Sequence, residues 1–140
     1  IYGAHRVMVF YFVATVCGFF ASSLWSPALS VGASAGLFGL IGAMIALGLR
    51  HKWSAEASAI KAFYLRWAIY GLLWGLLPFF RVDNAAHIGG LLTGLAVGYV
   101  AGTPREFDAA REKVWTALAA GCVAVTGYAF LRLVLWLTAA

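Results

Sequence analysis

Ser34 and His87 are the two residues of this 140-residue chain whose types and settings could do chemistry together. Ser34 lies in Gly32-Ala33-Ser34-Ala35-Gly36-Leu37-Phe38-Gly39-Leu40, at the head of a long apolar run. His87 lies in Ala86-His87-Ile88-Gly89-Gly90, at the head of another. A serine hydroxyl is a weak nucleophile until a base takes its proton. A neutral imidazole within hydrogen-bond reach can do that, and can later protonate a leaving amine. A third group often orients the ring. Asp83, four residues before His87, could in principle face it, but a solvated carboxylate in a turn is the expected role.

The elements that must position this pair are membrane helices. Hydrophobic residues make up 64% of the chain and charged residues 11%, against about 25% charged in a soluble domain. The apolar runs are near the length that carries a helix across a hydrocarbon core, and they lack the alternation of barrel strands. The fold class expected is an all-α, polytopic transmembrane helical bundle. The net charge of +5 fits cationic loops on the cytoplasmic side better than a nucleic-acid partner. Cys17 and Cys122 lie within apolar runs without metal-ligand spacing and read as small packing residues. No metal or cofactor is expected. With no initiator Met and no secretory signal, the chain reads as a piece of a longer protein.

Residues 1–6 read as a short polar opening. Helices are expected at roughly 7–24, 33–49, 62–80, 85–101 and 114–137. A turn is expected at Pro27, a charged loop from 50 to 61, and a short turn at 81–84. If the five helices alternate, Arg6, Arg50, Lys52, Lys61, Arg66, Arg105, Arg111 and Lys113 share one side, eight of the ten Lys and Arg. The positive-inside rule makes that side cytoplasmic. Arg81 falls opposite, and Arg132 could snorkel toward it. Ser34 and His87 then come out at the same depth, near the outer face.

The neighbours suit a shared site. Phe38 lies one helical turn from Ser34 on the same face and could support the imidazole, although ordinary apolar packing would also place it there. Gly90, Gly94, Gly98 and Gly102 draw a smooth stripe along helix four, and Ala35, Gly39 and Ala43 draw one along helix two. Membrane helices approach most closely through small residues, and close backbones can hold side chains of two helices in register. Each motif alone also has a plain packing reading.

Gly32-Ala33-Ser34-Ala35 with Gly36-Leu37-Phe38-Gly39-Leu40, followed by Asp83-Asn84-Ala85-Ala86-His87-Ile88-Gly89-Gly90 and Gly94, resembles the rhomboid intramembrane serine proteases. Tyr2-Gly3-Ala4-His5-Arg6 is similar to the loop that opens the family's third helix. The resemblance covers roughly residues 2–103. It implies a rhomboid-like core in 1–103, matching the family's third to sixth helices, and in 104–140 a cytoplasmic linker with an additional C-terminal transmembrane helix. It implies Ser34 as nucleophile, His87 as general base and acid, and the Ser34 backbone N–H as part of the oxyanion hole. Phe38, Gly90 and Gly94 are the supporting residues. The implied partners are transmembrane protein substrates within the lipid bilayer, and the oligomeric state is open. Helix three, with Phe63, Trp67 and Trp74, corresponds to the family's mobile fifth helix; lipid contact alone would also explain its aromatics.

Two departures bear on activity. The family usually has Gly directly after the nucleophile, where this chain has Ala35, whose methyl could crowd the oxyanion site. The family's first two helices, which carry a His and an Asn completing the oxyanion hole, are absent from the chain. Losing one oxyanion donor costs about 3–4 kcal/mol of transition-state stabilisation, so the 140-residue piece alone is expected to be inactive. The expected function is intramembrane serine endopeptidase, in a bacterial inner (plasma) membrane with the active site toward the outer side. The alternatives are a catalytically impaired rhomboid-like protein that binds transmembrane segments and a non-enzymatic membrane scaffold.

Overall fold

A computed structural model describes residues 1–25, 29–77, 79, 82–104 and 109–139. It contains α1 (Ala4–Trp25), α2 (Ser34–Arg50), α3 (Ala55–Trp74), α4 (Asn84–Ala101) and α5 (Ala109–Ala139), with no strand among the described residues. The all-helical bundle expected from composition is the observed architecture. The expected turn at Pro27, the end of helix three at Pro78 and Phe80, and Arg81 and Arg105 lie outside the described residues.

By length and composition α1 and α5 are each capable of crossing a membrane, and α2 is apolar but shorter, at 17 residues. α3 carries Glu56, Lys61 and Arg66, and α4 carries Asn84 and His87 in its first turn. Three helices start earlier than expected: the fifth begins at Ala109 instead of 114, and the first and third differ for local reasons. The first helix starts at Ala4, directly after Gly3, so Arg6 is helical rather than part of a polar opening. The third starts at Ala55 instead of 62, because Ser54 caps it: the Ser54 hydroxyl accepts a hydrogen bond from the Ala57 N–H at 3.3 Å. Glu56 in the first turn complements the helix dipole. The helix stops at Trp74, with Gly75 as its C-cap. Ser54→Ala should cost about 1 kcal/mol and speed amide hydrogen exchange in the first turns of α3. Unchanged exchange there would count against the cap.

The chain divides into two compact units, one of Ile1–Val9 with Thr103–Ala140 and one of Phe10–Gly102, so the boundary falls within α1. In the first unit Arg6 is 2% exposed and makes a bidentate pair with Glu112 at 2.7 and 2.6 Å. The guanidinium also lies over the Trp115 ring, 5.1 Å from its centroid. A planar, always-charged group that donates in a fork suits such a pair. Most of α5 is exposed and apolar, with Val125, Phe130, Leu133 and Trp136 among its outward residues, a surface suited to lipid.

In the second unit, α2 and α4 are in direct backbone contact. A Cβ built on Gly94 would sit 1.8 Å from the Gly39 carbonyl oxygen, and one on Gly90 would sit 2.1 Å from that of Ala35. Gly98 faces Ala43 in the same way, at 2.8 Å from its Cα, so the two stripes of small residues face each other. α1 closes the third side. Ala14 lies against Gly39, and Gly18 lies against Ala35 and the Ala86 carbonyl. α3 packs along α2 through Gly48 and Gly71. It touches α4 near its own end, where the Asn84 side-chain amide donates to the Leu72 carbonyl at 3.1 Å.

Candidate active site

Gly32 turns the chain into α2 at φ +139, a backbone setting that side chains resist. Ser34 follows as the first residue of α2 and is exposed. α4 begins under the cap of Asp83, whose carboxylate accepts from the Ala86 N–H at 2.9 Å. His87 is therefore in the first turn of α4, and its own N–H bonds the Asp83 carbonyl at 3.1 Å. Both Ser34 and His87 line one cavity of about 900 Å³, whose wall also includes Phe19, Trp25, Ser22, Ser30 and Asp83. No hydrogen bond joins Ser34 to His87 in this structure; such contacts are often long before substrate binds.

The imidazole is held by packing. His87 is 6% exposed and stacks on Phe38, with ring centroids 4.0 Å apart and planes 9° from parallel. Phe38 is itself buried, and its far edge meets α3 at Gly71, where an added Cβ would lie 2.5 Å from the ring. Gly90, one turn beyond His87, seats α4 on the Ala35 carbonyl, and Gly94 seats the next turn on Gly39. Phe38, Gly90 and Gly94 thus converge on the helix contact that carries His87.

Ala35 is 1% exposed and is not part of the cavity wall. Its methyl packs on Gly18 of α1, where a Cβ would lie 2.8 Å away. That helix contact accommodates the methyl, away from the cavity.

Asp83 differs from the expected solvated turn carboxylate. Besides capping α4 it accepts a hydrogen bond from Ser22 of α1, itself 4% exposed. Burial pushes the Asp83 carboxyl up, but hydrogen bonds from Ser22, Ser30 and the Ala86 and Ala85 N–H groups outweigh it, so it titrates below its ordinary value. A carboxylate held down in this way stabilises the fold above its unfolded-chain pKa; that stabilisation is lost as pH falls through the lowered folded value. Nor does Asp83 hold the ring: the His87 Nδ1 is buried without a hydrogen-bond partner among the described residues. The cap was readable as an Asp three residues before the N–H it accepts from. Ser22, one hydroxyl inside an apolar helix, gave no local sign of its partner. Among the described residues no three His, Cys, Asp or Glu side chains cluster as a metal site would require.

A family model described as the Rhomboid domain matches residues 1–104. RHOMBOID-like protein 7 of Arabidopsis thaliana is 34% identical over 139 residues, covering 99% of this chain and 44% of that protein. Rhomboid protease GluP of Bacillus subtilis (strain 168) is 32% identical over 104 residues, covering 74% of this chain and 20% of that protein. Inactive rhomboid protein 1 of Papio anubis is 33% identical over 100 residues, covering 69% of this chain and 11% of that protein. The chain therefore spans less than half the length of each of these relatives. No solved structure matches it. The relatives include proteins named as a protease and as inactive, and the residues matched by the family model include those that build the helix contact and the cavity: the chain belongs to the rhomboid family of membrane proteins.

Proposed function

We propose that this chain carries the active site of an intramembrane serine endopeptidase that hydrolyses peptide bonds of transmembrane substrates. The observation that carries the reading is that Ser34 and His87, from separate helices, line one cavity with the imidazole stacked on Phe38. In the reaction, His87 takes the Ser34 hydroxyl proton as Oγ attacks the scissile carbonyl. The Ser34 N–H, at the free N-terminal end of α2, donates to the developing oxyanion. His87 then protonates the leaving amine, and water releases the acyl group by the same steps in reverse. We assign residues 1–103 to the catalytic core, and 104–140 to a linker and an additional helix.

The charge distribution supports placing the site toward the outer side of the membrane, with the cation-rich loops in the cytoplasm. The similarity to a protein named as an inactive rhomboid favours, as a second reading, a protein that binds transmembrane segments without cutting them.

The test is cleavage of a transmembrane substrate by the full-length protein reconstituted in liposomes, with the cut mapped by mass spectrometry. The expected result is a Ser34-dependent cut in the outer half of the substrate span. A folded wild type that binds the substrate and leaves it intact supports the second reading. A cut in the cytoplasmic half contradicts the orientation.

A further inference from the structure

We propose that Asp83 is a positioning residue for the dyad, one carboxylate that ties the helix carrying His87 to a support on α1, beside the segment leading to Ser34. The inference rests on the catalytic reading of Ser34 and His87.

Three chain segments meet on this side chain. Ser22 of α1 donates its hydroxyl to Oδ2 from a site that is 4% exposed. The Ala86 N–H donates to Oδ1 at 2.9 Å, one residue before His87. Ser30, four residues before Ser34, lines the same cavity as the carboxylate and helps to keep it ionised. Ser22, Ser30, Ser34, Asp83, Ala86 and His87 all belong to the wall of the same cavity. The carboxylate therefore acts where the serine-bearing and histidine-bearing segments come together.

Asp83 does not act as the third member of a triad. A triad carboxylate accepts from the ring N–H, and here the ring Nδ1 has no hydrogen-bond partner among the described residues, Asp83 included. The link to His87 runs through the backbone, by the Ala86 N–H and by the bond from the His87 N–H to the Asp83 carbonyl. Stacking on Phe38 fixes the plane of the ring, and the Asp83 bonds fix the helix turn that carries it. Small misplacements of reacting groups are costly to rate, so a support at this point should be felt in the chemical step more than in binding.

The experiment is the rate of covalent labelling of the full-length protein in membranes by a fluorophosphonate probe, resolved into a saturating rate constant and an apparent affinity. Asp83→Ala should lower the saturating rate ~10- to 100-fold, with the affinity within ~2-fold. Ser22→Ala, which leaves the α4 cap in place, should lower it by a smaller factor. The double variant should be no slower than Asp83→Ala, because both substitutions break the same bond. Asp83→Asn keeps an oxygen for the Ala86 N–H and a polar partner for Ser22, and should restore the rate to within ~3-fold of wild type. Thermal unfolding of each variant accompanies the rates.

A labelled wild type with Asp83→Ala or Ser22→Ala at the wild-type rate overturns the positioning role and leaves the dyad standing. Fully multiplicative losses in the double variant also overturn it. If Asp83→Ala does not fold, the rate of Ser22→Ala decides alone. An unlabelled but folded wild type overturns the catalytic reading and the positioning role with it.

Discussion

Gly94→Ala is expected to be among the most destabilising single-methyl additions in this protein. The added Cβ would lie 1.8 Å from the Gly39 carbonyl oxygen and 2.5 Å from the Gly39 Cα, which are backbone atoms that cannot rotate aside. Overpacking a well-packed core costs typically about 1–3 kcal/mol, and that range assumes side chains that can shift. Here α2 and α4 must separate as bodies, so the effect belongs at or beyond the top of the range. Because Ser34 and His87 sit on those two helices, cavity geometry should be lost along with stability. Thermal unfolding in detergent measures the effect. Gly121→Ala is the control: nothing lies within 4 Å of a Cβ there, and replacing a helical glycine by alanine should be neutral or stabilising by up to about 1 kcal/mol. A Gly94→Ala protein as stable as the Gly121→Ala protein would contradict the packing described for α2 and α4.

The second large effect is on chemistry. Ser34→Ala and His87→Ala are each expected to lower kcat for substrate cleavage by about four to six orders of magnitude. Without the hydroxyl there is no acyl-enzyme, and without the imidazole the hydroxyl keeps its proton. The two losses should not multiply, since a nucleophile and its base act as a unit. The Ser34→Ala/His87→Ala double variant should therefore be no slower than either single one. Unfolding midpoints of Ser34→Ala should stay close to wild type, because Ser34 is exposed and caps nothing. His87→Ala removes a stacked, buried ring and should lower stability as well. Multiplicative losses would indicate two independent roles instead of a dyad.

Much of this arrangement was legible in the sequence because it depends on short-range spacing. A glycine every four residues from Gly90 onward marks one helix face whatever lies opposite, and the structure puts Ala35, Gly39 and Ala43 there. Phe38, four residues from Ser34, had to fall on the same face, and it meets the His87 ring. What was not legible depends on partners distant in sequence. The Ala35 methyl could have pointed at the cavity, and only the passage of α1 at Gly18 gives it another place. Asp83 reads as a turn carboxylate until Ser22, 61 residues earlier, is placed beside it. Arg6 reads as a surface charge until Glu112 is brought to it. The third helix was misplaced for a different reason. Its first two turns carry Glu56 and Lys61, so hydropathy hides them, while the Ser54 cap that starts the helix is a local signal that hydropathy does not weigh.

The most direct test of the central claim is covalent labelling at Ser34. Membranes containing the full-length protein are treated with a fluorophosphonate probe, and the modified residue is located by mass spectrometry in wild type, Ser34→Ala and His87→Ala. The dyad predicts a single adduct on Ser34 in the wild type and none in either variant. A folded wild type without the adduct, or labelling of Ser34 that persists in His87→Ala at the wild-type rate, would contradict it.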